Sequence, residues 1–192
     1  MEIQMIRTDT VYQGWGRYLV VTVRMPDGQI VRREIEDHGS AAGVLPYDAE
    51  RRTAILVRQF RAPAYFATRQ DETLEAVAGI IDDPDPDACV RRESLEEAGL
   101  KLGTIEHVVT AWTMPGVSTE RIDLYLAPYR PADRIAAGGG VAGEHEATTV
   151  VEIALADLAA LADTGQLTDM KTLLLLQTLR LRRPELFTSE GC

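Results

Sequence analysis

The sequence predicts an α/β/α sandwich, and three observations carry that expectation. Runs rich in β-branched residues lie on both sides of one sharply delimited helical segment. A last helical run, Met170 to Leu181, closes the chain before Pro184. The 192 residues suffice for one sizeable core with a small appended element. Strands that must bury two faces, and helices that must bury one, meet those needs together in a layered arrangement.

Element by element, Tyr18 to Arg24 and Ile30 to Ile35 read as strands joined by the turn Pro26-Asp27-Gly28. Gly43 to Tyr47 and Thr53 to Phe60 form a second pair around Asp48-Ala49-Glu50-Arg51. Ala64 to Asp71, rich in aromatic and polar residues, reads as a loop leading to Thr73–Gly79. A glycine loop then opens into a helix that Asp85 caps, with Pro86 at its first position and Gly99 at its end. Further strands are expected near Gly103 to Thr110, Arg121 to Leu126 and Thr148 to Ile153. Gly138-Gly139-Gly140 begins a flexible loop up to Ala147, and Leu155 to Asp163 is a short helix stopped by Gly165.

A net charge of −10 argues against bulk nucleic acid or an anionic membrane as partner. Two cysteines, Cys89 and Cys192, give neither a disulfide framework nor metal-ligand spacing. The expected setting is a reducing cytoplasmic one, without a signal peptide or an apolar run long enough to span a bilayer.

The chemistry concentrates on the helix after Asp85. At 100° per residue, Glu93, Glu96 and Glu97 fall within an arc of about 100°. Glu93 and Glu97 are a like-charge i,i+4 pair, which a bare helix disfavours and a divalent cation would reverse. Carboxylates with room for water suit Mg²⁺ or Mn²⁺. Elsewhere, Arg58-Gln59-Phe60-Arg61 ends a strand with two guanidinium groups able to grip phosphate. His38, His107 and His145 have no partner histidine in a ligand pattern; His38 and His107 read as ordinary structural or surface residues.

The string Arg92-Glu93-Ser94-Leu95-Glu96-Glu97-Ala98-Gly99-Leu100 resembles the core of the Nudix box, G-x5-E-x7-R-E-U-x-E-E-x-G-U, where U is aliphatic. The loop from Gly79 is one residue short, Asp85 replaces the first glutamate, and Ser94 stands at the first U. The resemblance implies a hydrolase of nucleoside diphosphates linked to another group, built as the Nudix α/β/α sandwich.

From Tyr12 to Arg182 the chain is similar to the branch that cleaves ADP-ribose and GDP-mannose. The shortened box, Ala137-Gly138-Gly139-Gly140-Val141 and Met170-Lys171-Thr172-Leu173-Leu174-Leu175 favour the GDP-mannose members. That resemblance implies a metal site of Glu93, Glu96, Glu97, Glu146 and the carbonyl of Ala78. It also implies a diphosphate contact at Arg61 and nucleotide-sugar contacts at Glu120 and Lys171. In that branch N-terminal strands exchange across a homodimer. By that likeness Arg32, Arg33 and Glu34 reach the partner's site, and Trp15 stacks near the base. Ala142 and Gly143 are inserted before Glu144, and His145 stands where the branch has an acidic residue. Either Glu144 or Glu146 is then the base that activates water, with Glu97 completing the catalytic group.

The expected organisation is an N-terminal β element at 1–38, a hydrolase domain at 39–185 and a tail at 186–192. The expected substrate is a nucleoside-diphosphate sugar, GDP-mannose first. ADP-ribose hydrolysis is the alternative, followed by a non-catalytic nucleotide-binding regulator.

Overall fold

The computed structural model describes residues 2–82, 84–140 and 148–188. The chain divides into two compact units, Met1–Ala41 with Thr110–Ile122, and Ala42–Val109 with Asp123–Cys192.

The first unit holds an antiparallel three-stranded sheet in the order β1 (Gln4–Gln13), β2 (Arg17–Arg24), β3 (Ile30–Asp37). β2 and β3 match the expected pair. Their turn is closed by Gly28 N–H donating to Met25 O at 2.9 Å, with Gly28 at φ +88°. β1 was not among the expected strands. Nearly all of its residues are exposed and its pairing shifts register twice, so it lacks the alternation of a half-buried strand. β1 turns into β2 through Gly14-Trp15-Gly16, where Gly14 N–H donates to Gly16 O at 2.9 Å. The segment before Glu120 is sewn to the end of β3: Glu36 N–H donates to Val117 O at 2.7 Å and Thr119 N–H to Glu36 O at 3.0 Å.

The second unit is built on a seven-stranded sheet whose main path runs β10 (Thr149–Ala154), β5 (Thr53–Gln59), β4 (Ala41–Asp48), β9 (Arg121–Pro128), β8 (Glu106–Trp112). β6 (Thr73–Glu75) pairs with β5, and β7 (Val77–Ile80) pairs with β4. Every residue of β4 is buried, the mark of a strand covered on both faces. Ala42, Val44, Ile55 and Val57 pack with Val77, Cys89, Val90 and Ala98 in one core, which places the helix α2 (Pro86–Ala98) on that face. By the period of two, Leu45 and Leu56 point the other way. The fully buried leucines of α3 (Leu155–Asp163) and α4 (Met170–Arg182) lie outside the core that α2 covers. The sandwich is therefore as expected.

One expected loop is a helix. α1 (Ala62–Thr68) occupies most of the stretch 64–71, with Pro63 in its first turn and Arg69 closing it at φ +63°. None of its residues is buried, so it carries no apolar stripe for a sequence pattern to reveal. Gly79, expected to begin a loop, lies inside β7.

Candidate active site

α2 begins and ends as its sequence dictates. Asp85 accepts the N–H of Asp87 at 3.0 Å, and Pro86 follows at the position where its missing N–H costs nothing. Gly99, at φ +68°, donates to Leu95 O, and Leu100 N–H donates to Ser94 O at 2.9 Å. Between these stops the helix sets its carboxylates in two different environments.

Glu97 is 4% exposed, and its Oε2 accepts the N–H of Ala78 from β7 at 3.3 Å. Glu93 lies one turn earlier against the same strand. A Cβ on Gly79 would fall 2.0 Å from Glu93 Oε1, so only glycine leaves the carboxylate its place. Arg92 fixes the neighbourhood. Its Nη1 is 2.8 Å from Glu93 Oε1 and 3.1 Å from Glu96 Oε2, while Nη2 donates to Ile80 O at 3.4 Å. Glu96 thus pairs with Arg92 on the more exposed side of the helix, and Glu93 and Glu97 hold the strand side. Among the described residues, no three acidic, imidazole or thiol side chains converge as a metal cluster. What they do offer a divalent cation is two carboxylates seated against β7 beside the backbone of Ala78. Cys89 takes no part: burial pushes its thiol up to about 11, and Sγ is 3.4 Å from Ile80 O.

A second cluster in the same unit brings Arg61 and Lys171 together on a residue that the motifs did not single out. Glu75, at the end of β6, is 3% exposed. Its Oε1 accepts Arg61 Nε and its Oε2 accepts Arg61 Nη2, both at 2.9 Å. Lys171 Nζ and Thr73 Oγ1 also donate to it. Burial alone would raise the Glu75 pKa; the Arg61 and Lys171 cations outweigh it and hold it at about 2. Asp169 joins the cluster through Lys171 Nζ at 3.0 Å and caps α4 by accepting Thr172 N–H at 3.0 Å. Thr172 Oγ1 in turn accepts Ala76 N–H at 2.6 Å, tying α4 to the strand that carries Glu75. The sequence held one signal for Glu75: a lone carboxylate inside the apolar run Leu74 to Ala78, which can be buried only if paired.

The remaining expected contacts lie in the first unit. Trp15 stands at the β1–β2 turn and stacks on His38, with ring centroids 4.9 Å apart and planes 24° from parallel. His38 Nε2 is 3.3 Å from Glu120 Oε1. Arg32, Arg33 and Glu34 lie on β3 and line an open groove of about 510 Å³ with Val20, Gly116 and Val117. Glu34 accepts the Tyr18 hydroxyl at 2.6 Å, a bond that raises the Tyr18 pKa. Glu144 and Glu146 lie outside the described residues.

The NUDIX domain family matches residues 37–173, which span both α2 and the Glu75 cluster. The chain belongs to the Nudix family. Three relatives of this Nudix protein are GDP-mannose pyrophosphatases. That of Cronobacter sakazakii is 39% identical over 169 residues, covering 86% of this chain and 87% of the relative. That of Escherichia coli O1:K1 is 35% identical, covering 81% and 82%. That of Klebsiella pneumoniae is 33% identical, covering 94% and 92%. A crystal structure of an ADP compounds hydrolase superposes with a TM-score of 0.76 at 16% identity, covering 96% of each chain, and so shares the fold. Among the described residues, no helix is long and apolar enough to cross a membrane.

Proposed function

We propose that this Nudix protein hydrolyses the diphosphate of a nucleoside-diphosphate sugar, GDP-mannose foremost, to GMP and mannose 1-phosphate. The names of its relatives support the substrate class. The observation that carries the chemistry is the pair Glu93 and Glu97, seated against β7 where Gly79 leaves room. Mg²⁺ or Mn²⁺ held by that pair and the Ala78 carbonyl would neutralise the diphosphate and lower the pKa of a bound water.

The chain's own groups have distinct tasks in this reading. Arg92 keeps the Glu93 and Glu96 carboxylates in place through its two ion pairs. Glu146 would complete the metal site, and Glu144 or Glu146 would take the proton of the attacking water. Arg61, set on Glu75, meets charge that develops on the leaving phosphate, and Lys171, on the same carboxylate, contacts the nucleotide-sugar. Trp15 stacks on the base, with Glu120, Arg32, Arg33 and Glu34 around the nucleotide-sugar. The enzyme acts as a homodimer in a reducing, cytoplasmic compartment.

The test is a panel of nucleoside-diphosphate sugars with products identified by mass, run in ¹⁸O water to locate the attacked phosphorus. A site that hydrogen-bonds guanine leaves polar groups unpaired against adenine. GDP-mannose should therefore exceed ADP-ribose clearly in kcat/KM. Equal or better cleavage of ADP-ribose would assign the enzyme to the ADP-ribose reading and leave its Nudix chemistry intact.

A further inference from the structure

We infer that His38 is a positioning residue for nucleotide recognition, holding the Trp15 ring and the Glu120 carboxylate as one unit in a single site. The inference rests on the reading of Trp15 and Glu120 as nucleotide-sugar contacts and adds what makes them act together. Two segments far from it in sequence converge on this imidazole. The β1–β2 turn brings Trp15 over one face of it. Gly16 allows that approach, since a Cβ there would lie 3.0 Å from His38 Cβ and 3.1 Å from Asp37 O. The segment before β9 brings Glu120 to its edge.

The imidazole side chain is only 14% exposed, and both of its nitrogens face carboxylates. Nε2 is 3.3 Å from Glu120 Oε1. A carboxylate only accepts, so Nε2 carries the hydrogen of that bond. Glu36 Oε1 lies 3.0 Å from Nδ1 without hydrogen-bond alignment. Trp15 itself remains 78% exposed. One face of a large planar ring is therefore braced by His38 while most of the indole is available to a base.

The backbone is built to keep this arrangement. Glu36 pairs with the 117–119 stretch through two backbone hydrogen bonds at 2.7 and 3.0 Å. Thr119 Oγ1 donates to Asp37 Oδ1 at 2.7 Å, and Arg17 pairs with the same carboxylate. Glu120 N–H donates to Ser118 Oγ at 3.1 Å. His38 and Glu120 are thus held near one another by contacts that their own flanking segments make. A side chain bridging a stacking ring and an acidic contact reduces the conformational freedom that substrate binding would otherwise have to remove.

The experiment uses the full-length protein carrying Trp112→Phe, which leaves Trp15 as its one tryptophan. GMP is titrated against Trp15 emission, and kcat and KM are measured for GDP-mannose. In this background His38→Ala should weaken GMP quenching and raise KM by about tenfold, the scale of a lost bond to a charged group, with kcat changed far less. His38→Gln, which keeps a planar donor, should recover part of the loss. His38→Ala should cost little more once Glu120→Ala is present, since the two act through one contact. His38→Ala with unchanged GMP quenching and unchanged KM would overturn the inference. So would a loss confined to kcat, or full additivity with Glu120→Ala. Absence of turnover on every nucleoside-diphosphate sugar in the unsubstituted protein overturns the functional reading instead, and the GMP titration then decides the role of His38 by itself.

Discussion

Glu75 grips Arg61 with both carboxylate oxygens, Oε1 on Nε and Oε2 on Nη2, each at 2.9 Å. This is the planar two-point geometry that lysine cannot reproduce. Lys171 donates to the same carboxylate, and Asp169 balances the second cation. A cation sought as a diphosphate contact and one sought as a nucleotide-sugar contact thus sit with two carboxylates in a group of near-zero net charge. Removing either cation would leave Glu75 buried with its charge less compensated.

The first consequence is an acid limb of stability. The folded Glu75 carboxyl titrates at about 2, below its ordinary value of 4.5. Its contribution is therefore complete above pH 4.5 and is lost as pH falls towards 2. At about 1.4 kcal/mol per pKa unit this amounts to roughly 3 kcal/mol. Glu75→Gln should destabilise the protein at pH 7, and the gap to wild type should narrow by pH 3. Denaturant unfolding at both pH values reads the difference. Parallel loss of stability by the two proteins through this window would show that the ion cluster does not govern it.

A second prediction concerns Gly79, whose Cβ position is filled by the Glu93 carboxylate. Gly79→Ala must push that carboxylate aside and disturb its 2.8 Å pair with Arg92. The atoms met are the far end of a flexible side chain, so the fold should survive with a small change in Tm. Turnover should fall about 10–100-fold and the divalent-metal requirement should rise, as when groups supporting metal ligands are altered. An unchanged metal-activation curve would mean that Glu93 is not a ligand.

Glu97 allows a more direct test. Glu97→Gln keeps the shape and an oxygen able to accept the Ala78 N–H, and it removes the charge. Turnover should drop by about 10²–10⁴, the scale of a lost catalytic group. Chelation should abolish activity and added Mg²⁺ restore it. Well-folded Glu97→Gln with near-normal turnover would remove the metal mechanism from consideration.

The box helix was legible in detail because Asp85, Pro86 and Gly99 each act through local backbone chemistry. The central strands were legible because burial on both faces leaves an apolar run, as in β4 and β5. β1 and α1 were not, since neither buries a face and so neither imposes a period. The site shows the same division. Glu93 and Glu97 follow from helical spacing, whereas the Glu75–Arg61–Lys171 cluster joins three segments whose proximity no local rule encodes. His38 is the clearest case: it reads as an ordinary histidine until the turn at Trp15 and the segment at Glu120 are folded around it.

The last prediction is a homodimer formed through the N-terminal sheet. β1 is a strand at the end of its sheet, and Met5, Ile6, Val11 and Tyr12 are 60%, 44%, 56% and 67% exposed. Such an edge is prone to pair with another chain. Within the sheet only Leu19 and Val21 of β2 are buried, too few to stabilise three strands without further packing. A second copy is the simplest source of that packing, and the exchange of N-terminal strands implied by the family likeness would supply it. Sedimentation should give a dimer at micromolar concentration. The paired substitution Met5→Lys with Val11→Lys should shift it towards monomer and lower activity together with dimer content. A monomeric, fully active wild-type protein at that concentration would remove both the exchange and any role for Arg32 and Arg33 in a partner's site.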